Sequence, residues 1–379
     1  MLDNITQSIL VFDRMFILSI FLVVCGCATK NETKFEDTIY VDAASQDQPT
    51  YDSFVNGIEF IPLETTDSSL IGEVKGLVVT DDKIFVNSAR EEILCFDISG
   101  KFLFRVGRIG RAPGEYISPY SISVCDNIVY VLCQESGKVL CYDAVLGKHI
   151  NDISLNKFYV QIEVSDGYIY AVDMTTRPFA IDAIQLSNPT ECKELYCVVE
   201  GERVYSSFMQ LFKSSDNGTC YWVDPLRGEV YLLESGEMIP YIDFDFGKYE
   251  YPEDYLMSGG NITQTSMVSA VCNFYRVNNI CTISFEGADN DIHTLLYDLD
   301  SGQQINLGFL KYKGPELPEA YYKKKPVDFK AANKRFYSLY IPNYNAECGI
   351  LPDNYKSYER MKGVTNEDNI ALIAFDLKL

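Results

Sequence analysis

A short pattern of an apolar strand, an acidic turn and a second apolar strand recurs along the chain at a nearly fixed interval. It occurs at residues 77–86, 122–131 and 162–171, so that successive copies begin 45 and 40 residues apart. That interval is the period of a four-stranded propeller blade. The Asp-Asn turn at 126–127 and the Asp-Gly turn at 166–167 admit positive φ and close tight antiparallel hairpins. The repeat therefore predicts a β-propeller.

A second hairpin follows each of the first two copies, over 93–106 and 139–150, and completes a blade. Weaker strands follow the third copy at intervals stretched by insertions at 247–264 and 342–368, the latter with a predicted short helix at 353–362. These weaker strands span 220–223, 231–233, 280–285, 294–299 and 336–341. The count reaches about six, so the sequence predicts an all-β fold, a six-bladed β-propeller of four-stranded antiparallel blades.

The predicted last blade is one strand short. The chain ends soon after the strand at 369–375, whereas the strand at 58–63, near the start, has no blade of its own. Pairing these two segments closes the ring and leaves no long open edge in the last blade. We therefore predict that the propeller spans 55–379 and that its N-terminal strand joins the C-terminal blade.

The N-terminal region has the features of an export signal. Residues 15–24 form an apolar run that is too short to span a bilayer and suits the hydrophobic region of a signal peptide. The Val-Cys-Gly-Cys sequence at 24–27 resembles the bacterial lipobox, in which the cysteine that follows a small residue is lipidated. Cys27 fits this role better than Cys25, because Gly precedes Cys27 and Val precedes Cys25.

We therefore predict a lipoprotein signal peptide at 1–26 and a tether at 27–54. Ala28 after the lipidated cysteine favours the outer membrane over the inner membrane of the cell envelope, by resemblance to other lipoproteins. Acidic residues outnumber Arg14 in the region before the apolar run, so Met15 is an alternative start. A buried strand or an ordinary membrane anchor is the other interpretation of the apolar run.

Composition excludes some classes of partner and chemistry. The net charge of −22, from 54 acidic and 32 basic side chains, repels polyanions, so nucleic acid is excluded as a partner. His149 and His293 are the only histidines, too few for a typical propeller metal or triad site. Most cysteines outside the signal lie in apolar runs and are predicted to be buried, with Cys192–Cys197 as a minor disulfide candidate.

The linker between the first two blades carries a family resemblance. Residues 106–116 read Val-Gly-Arg-Ile-Gly-Arg-Ala-Pro-Gly-Glu-Tyr and are followed by Pro119 and the strand at 122–124, which resembles the NHL-type repeat. From about residue 55 onward, including the Ile-Pro-Leu-Glu-Thr sequence at 61–65, the chain resembles the bacterial six-bladed β-propeller lipoproteins. The resemblance implies a fold and an envelope location, and function has to be argued from a site.

The same linker supplies the predicted ligand-binding rim. Its glycines provide turn conformations, and the linker lacks the Gly-Lys-Ser/Thr ending of a phosphate-binding loop. Its polar side chains are expected to project onto the face where such loops gather. The predicted rim comprises Arg108, Arg111, Glu115 and Tyr116. An equally weighted alternative is that Arg111 and Glu115 pair only to hold neighbouring blades together.

Two further ideas have simpler structural explanations. Asp243 and Asp245 alternate on one face of a strand and offer a weak calcium site, with a solvated outer face as the favoured explanation. Several aromatic side chains offer stacking surfaces for sugar rings, although packing between blades is favoured for them. These aromatic residues are Tyr221, Trp222, Tyr231, Tyr321 and Tyr322.

The sequence favours an envelope lipoprotein that is held to the membrane only by its N-terminal lipid and that binds a protein or a glycan without catalysis. No catalytic residue, cofactor or resident metal is assigned. Two alternatives stay open: a polysaccharide or peptide lyase or hydrolase at the channel mouth, and a structural subunit of an outer-membrane assembly.

Cys27 is the residue on which the predicted anchor depends. We expect cells that express the full chain to incorporate a palmitate analogue into it, and Cys27→Ala to abolish this labelling because no other cysteine follows a small residue in the motif. Cys25→Ala is the matched control and should still be labelled. Label in the Cys27→Ala protein would contradict the assignment.

Overall fold

Two strands precede the first complete blade of the structure. A computed structural model describes residues 34–45, 47, 51–174, 179–198, 211–213, 218–252, 255–256, 267–287, 292–307, 330–332, 334–340, 356–365 and 367–379. The first strands are β1 (Asp37–Tyr40) and β2 (Val55–Pro62), with the one-turn helix α1 (Tyr51–Phe54) between them. Cys27, Tyr321 and Tyr322 lie outside the described residues.

Five four-stranded blades follow in chain order, and a sixth is completed by β2. Blade 1 contains β3 (Val74–Val79), β4 (Lys83–Ser88), β5 (Glu92–Asp97) and β6 (Phe102–Arg105). Blade 2 contains β7 (Ser121–Cys125), β8 (Ile128–Cys133), β9 (Lys138–Asp143) and β10 (His149–Ser154). Blade 3 contains β11 (Gln161–Ser165), β12 (Tyr168–Asp173), β13 (Ala180–Gln185) and β14 (Cys192–Cys197).

The second half of the ring repeats this arrangement. Blade 4 contains β15 (Leu211–Lys213), β16 (Cys220–Val223), β17 (Glu229–Glu234) and β18 (Glu237–Asp245). Blade 5 contains β19 (Ser269–Val277), β20 (Ile280–Glu286), β21 (Ile292–Asp298) and β22 (Gln304–Asn306). Blade 6 contains β23 (Lys330–Ala332), β24 (Arg335–Tyr340), β25 (Ala371–Leu377) and β2. The predicted six-bladed, all-β fold is confirmed.

The first strands of successive blades lie side by side, so β3, β7, β11, β15, β19 and β23 form the inner wall of the ring. The hairpins have the predicted turns, since Asn127 has φ of 58° and Gly167 has φ of 83°. The core lies between blades. For example, Phe85 and Cys95 of blade 1 pack with Val131 and Tyr142 of blade 2.

The cysteines behave mainly as core residues. Five of those predicted to be buried are buried: Cys95, Cys133, Cys141, Cys220 and Cys281. Cys192 and Cys197 are not joined in a disulfide and lie at opposite ends of the single strand β14. Five residues of extended chain separate them by about 16 Å, far beyond disulfide reach, so the minor prediction that they pair is wrong.

Ring closure occurs as predicted. β2 runs antiparallel to β25, with Phe60 opposite Ile373 and Ile61 opposite Leu372. Pro62 is tolerated because β2 is the outermost strand of blade 6. The predicted helix at 353–362 is a 3₁₀ helix at Lys356–Met361.

The segment predicted as a tether contributes a strand. β1 pairs in parallel with β18, with Thr38 opposite Asp243 and Tyr40 opposite Asp245, and gives blade 4 a fifth strand. Ile39 is buried in the core between blades 4 and 5. The propeller therefore begins before residue 55. Among the residues that the structure describes, no helix has the length and apolarity needed to cross a membrane.

Candidate functional site

The glycine-rich linker after β6 lies against the outer two strands of blade 2. The Gly107 N–H donates to the Gly147 carbonyl at 2.9 Å, and the Tyr142 hydroxyl donates to the Gly114 carbonyl at 3.1 Å. Gly147 is in the turn between β9 and β10, and Tyr142 is on β9. The linker therefore bridges the outer parts of blades 1 and 2.

Two linker glycines are required by this contact. Gly107 has φ of 62° and Gly114 has φ of 76°, where side chains are strained. A Cβ at Gly107 would lie 2.6 Å from the Tyr142 ring, and one at Gly114 would lie 2.6 Å from the His149 ring. The aromatic surface of blade 2 thus fixes the linker only because these positions lack side chains.

Tyr116 is enclosed by the linker. The sequence predicts that this side chain projects from the rim, and that prediction is wrong for Tyr116. Its side chain is buried, and its hydroxyl donates to the Val106 carbonyl at 2.7 Å and accepts from the Ile93 N–H at 3.3 Å. Desolvation raises the pKa of Tyr116 to about 12. The residue faces inward because the linker folds back on itself and encloses the ring.

Arg108 and Glu115 form the ion pair of the linker, at 2.5 Å between Nε and Oε1. The alternative prediction pairs Glu115 with Arg111, whereas in the structure its partner is Arg108. Glu115 also accepts from the Ala112 N–H at 2.9 Å, and this hydrogen bond, followed by Arg108, lowers the pKa of Glu115. The Arg108 side chain is 77% exposed, whereas that of Glu115 is 13% exposed. The guanidinium therefore faces solvent and the carboxylate mainly orders the loop.

Exposed aliphatic side chains, which the sequence did not reveal, lie on the segments that this linker brings together. Four aliphatic side chains of the linker, the β9–β10 turn and β10 are about half exposed, from 49% at Ile109 to 59% at Leu146. The backbone contacts of Gly107 and Gly114 bring these segments together. We name this surface the blade 1–2 rim, and it comprises Arg108, Ile109, Arg111, Val145, Leu146 and Ile150.

The charge of the rim differs from that of the whole chain, whose net charge is −22. Arg111 and the neighbouring Lys148 are exposed, and no ion pair reaches either of them within the described part of the chain. Asp143 of the adjoining turn accepts from the N–H groups of Val145 and Leu146 at 2.8 and 2.7 Å, and Asp152 of β10 pairs with Lys138 and His149. An acidic protein therefore presents a cationic and aliphatic surface here.

A buried polar cluster fixes the next linker. Lys157 reaches the buried Asp182 at 2.7 Å and the buried Asp173 at 3.9 Å. The Tyr159 hydroxyl donates to the same Asp182 oxygen at 2.8 Å. Burial raises the pKa of Tyr159, so this hydroxyl stays protonated and can donate. The arrangement ties the linker between blades 2 and 3 to blade 3.

The aromatic residues that might have bound sugar are part of the core. Trp222 and Tyr221 are buried. The Trp222 ring stacks on Tyr231 with the ring centroids 5.4 Å apart and lies 4.5 Å from the ring centroid of Tyr196 of blade 3. These contacts match the favoured prediction that the aromatics pack blades together.

One buried and two half-buried carboxyl groups lie beside this aromatic core. Desolvation raises the pKa of Glu229 to about 7, although the Tyr231 hydroxyl donates to it at 2.6 Å. Desolvation also raises the pKa values of Asp224 and Asp243. Within the described residues, no three His, Cys, Asp or Glu side chains lie close enough to hold a metal ion. The histidines lie apart, His149 on blade 2 and His293 on blade 5.

Glu229 makes the stability of the protein depend on pH. Because its folded pKa of about 7 exceeds the ordinary glutamate pKa of 4.5, its stabilising contribution is complete below the unfolded pKa and is lost as pH rises through 7. We expect the free energy of unfolding to fall by on the order of 2 kcal/mol between about pH 5.5 and 8.5. Denaturant titrations at both pH values measure this.

Glu229→Gln should remove most of this loss, because a neutral amide still accepts the Tyr231 hydrogen bond. Glu234→Gln, on the same strand and exposed, is the matched control. An unchanged pH dependence in the Glu229→Gln protein would contradict the assignment.

Comparison with solved structures supports the fold. An exported-protein candidate of Bacteroides fragilis is similar with a TM-score of 0.71 and 18% identity, over 90% of this chain and 99% of that chain. A member of the DUF4221 family from Bacteroides vulgatus is similar with a TM-score of 0.54 and 9% identity, over 88% and 99%. At these identities the likeness concerns the fold alone.

No curated protein matches the sequence. The model of one family, described as a domain of unknown function, DUF4934, matches residues 36–376. The match begins at Glu36, directly before β1, in agreement with the place of that strand in the propeller. The chain therefore belongs to the DUF4934 family.

Proposed function

We propose that this chain is an envelope lipoprotein, anchored through lipid at Cys27, whose propeller binds a partner at the blade 1–2 rim without catalysing a reaction on it. The lipobox-like sequence at 24–27 supports the anchor. The similarity to a Bacteroides fragilis structure designated as that of an exported protein is consistent with an envelope location. Ala28 supports the outer membrane.

The observation that carries the binding proposal is the exposed aliphatic surface of the rim. Ile109, Val145, Leu146 and Ile150 leave roughly half of each side chain in water. Covering them would contribute on the order of 1 kcal/mol per side chain. Concentrated exposure of this kind is typical of an interaction surface.

The side chains of the rim favour a protein over a glycan. Glycan sites rely on aromatic faces that stack on sugar rings, whereas the exposed apolar groups of the rim are aliphatic. Leu146 and Ile150 suit the apolar centre of a protein interface, and Arg108 and Arg111 suit its polar edge. The proposed ligand is therefore a protein with acidic groups around an apolar contact.

The chemistry of the rim supports binding without catalysis. Arg108 and Arg111 offer positive charge and hydrogen-bond donors, and guanidinium groups in general are poor general acids or bases. Alkyl groups provide neither a nucleophile nor a proton. The rim can therefore supply electrostatic attraction and apolar contact area.

A photo-crosslinking amino acid at position 146 should give a discrete cross-linked product in intact cells, because Leu146 is the most exposed aliphatic side chain of the proposed contact. Position 239 is the matched control, since Ile239 is also exposed but lies on β18 of blade 4. Adding Arg111→Glu should reduce the product at 146 at least tenfold by reversing one charge of the rim.

Equal products at positions 146 and 239 would contradict a partner at the rim. A product that glycosidase treatment removes would identify the ligand as a glycan and would contradict the preference for a protein.

A further inference from the structure

The outermost strands of three blades have their outer edges covered by other parts of the chain. In blade 4, β1 pairs along β18. In blade 5, the Asp47 N–H donates to the Asn306 carbonyl at 2.8 Å, and the Asp47 carboxylate accepts from the Asn306 N–H at 3.0 Å. In blade 6, the 3₁₀ helix at Lys356–Met361 lies against β2. Such coverage prevents unwanted strand pairing.

The outermost strand of blade 2 has an open backbone edge, although the linker at Gly114 lies against the His149 side chain at its start. β10 pairs only with β9, and every residue of β10 except Ile153 is exposed. Within the described part of the chain, no backbone hydrogen bond joins the other edge of β10 to another segment. A six-residue strand with an open edge is a template for adding another strand.

The side chains around this edge indicate what kind of segment fits. Ile150 is on β10 itself, and Leu146 is in the turn that precedes it. Lys148 directly precedes β10, and Arg111 lies on the linker whose Gly114 backbone is close to the His149 ring of β10, so both exposed cations add positive charge to this region. An extended segment with aliphatic residues and carboxylates would therefore complement the edge in both polarity and charge.

The chain contains an example of such a segment. β1 and its flanking residues read Glu-Asp-Thr-Ile-Tyr-Val-Asp over 36–42. On β18 this segment buries Ile39 and leaves Tyr40 exposed. Its backbone supplies the pairing while its acids remain at the surface, which shows that a propeller edge in this fold accepts an acidic and aliphatic strand.

We propose that the open edge of β10 binds an extended acidic and aliphatic segment of a partner protein by strand addition. The inference rests on the proposed function, since the same rim is the binding surface, and it specifies how the partner is held. Backbone hydrogen bonds supply the pairing, Leu146 and Ile150 supply apolar contact, and Arg111 and Lys148 attract the carboxylates.

A fluorescent peptide of residues 34–42, Lys-Phe-Glu-Asp-Thr-Ile-Tyr-Val-Asp, is the probe. We expect saturable binding to the mature protein with a Kd below about 100 μM. Ile150→Asp should weaken binding at least tenfold, and Ile239→Asp on blade 4 should leave it unchanged. A peptide with its acids replaced by Lys should bind at least tenfold more weakly.

The same peptide with N-methyl groups at alternate backbone positions separates strand addition from side-chain docking. Methylation removes N–H donors without changing side chains, so strand addition predicts a loss of at least tenfold. No saturation at about 1 mM peptide would overturn the proposal. Binding that is insensitive to Ile150→Asp or to methylation would also overturn it, because the site or the mode would then be different.

These outcomes separate the two proposals. Cross-linking at position 146 without peptide binding would retain the rim as the interaction surface and reject strand addition. Peptide binding at β10 without a cross-linked product in cells would retain strand addition as a property of the edge and reject the cellular partner at the rim.

Discussion

The antiparallel pairing of β2 with β25 is the interaction on which the rest of the structure depends. It joins a strand near the N-terminus to the last strand of the chain and converts six blades into a closed ring. In this position β2 buries Phe60 against blade 5 and Ile61 against blade 1, at about 1.5 to 3 kcal/mol for each side chain. Closure fixes the place of every blade, including the contact of blade 1 with blade 2 that assembles the rim.

Most of the fold could be predicted because its signals are local. Alternating apolar residues and Asp-Asn or Asp-Gly turns specify each hairpin, and the unpaired strand at 58–63 specified closure. β1 could not be predicted in the same way. It has four residues and pairs with a strand about 200 positions later, so nothing in its neighbourhood identifies its partner.

The candidate site was harder to predict than the fold, because the burial of each side chain depends on residues that are distant in the sequence. The structure places Arg108 and Arg111 on the exposed surface of the linker, whereas Tyr116 faces inward because the linker folds back over its ring. The sequence pattern did not identify Val145 and Leu146 as site residues. Two aliphatic residues in a tight turn between Asp143 and Gly147 are nevertheless unusual, because turns favour polar residues, Gly and Pro. They can be recognised as part of a binding surface only from the contact between this turn and the glycine-rich linker, which the sequence does not show.

Hydrogen exchange of the β2 amides tests the central claim, ring closure by β2 and β25, most directly. If closure is part of the cooperative structure, the hydrogen-bonded amides of β2 should exchange with the same free energy of opening as those of β25, close to that of global unfolding. Fast exchange of β2 while β25 stays protected would contradict the account, because the ring would then persist without its closing strand.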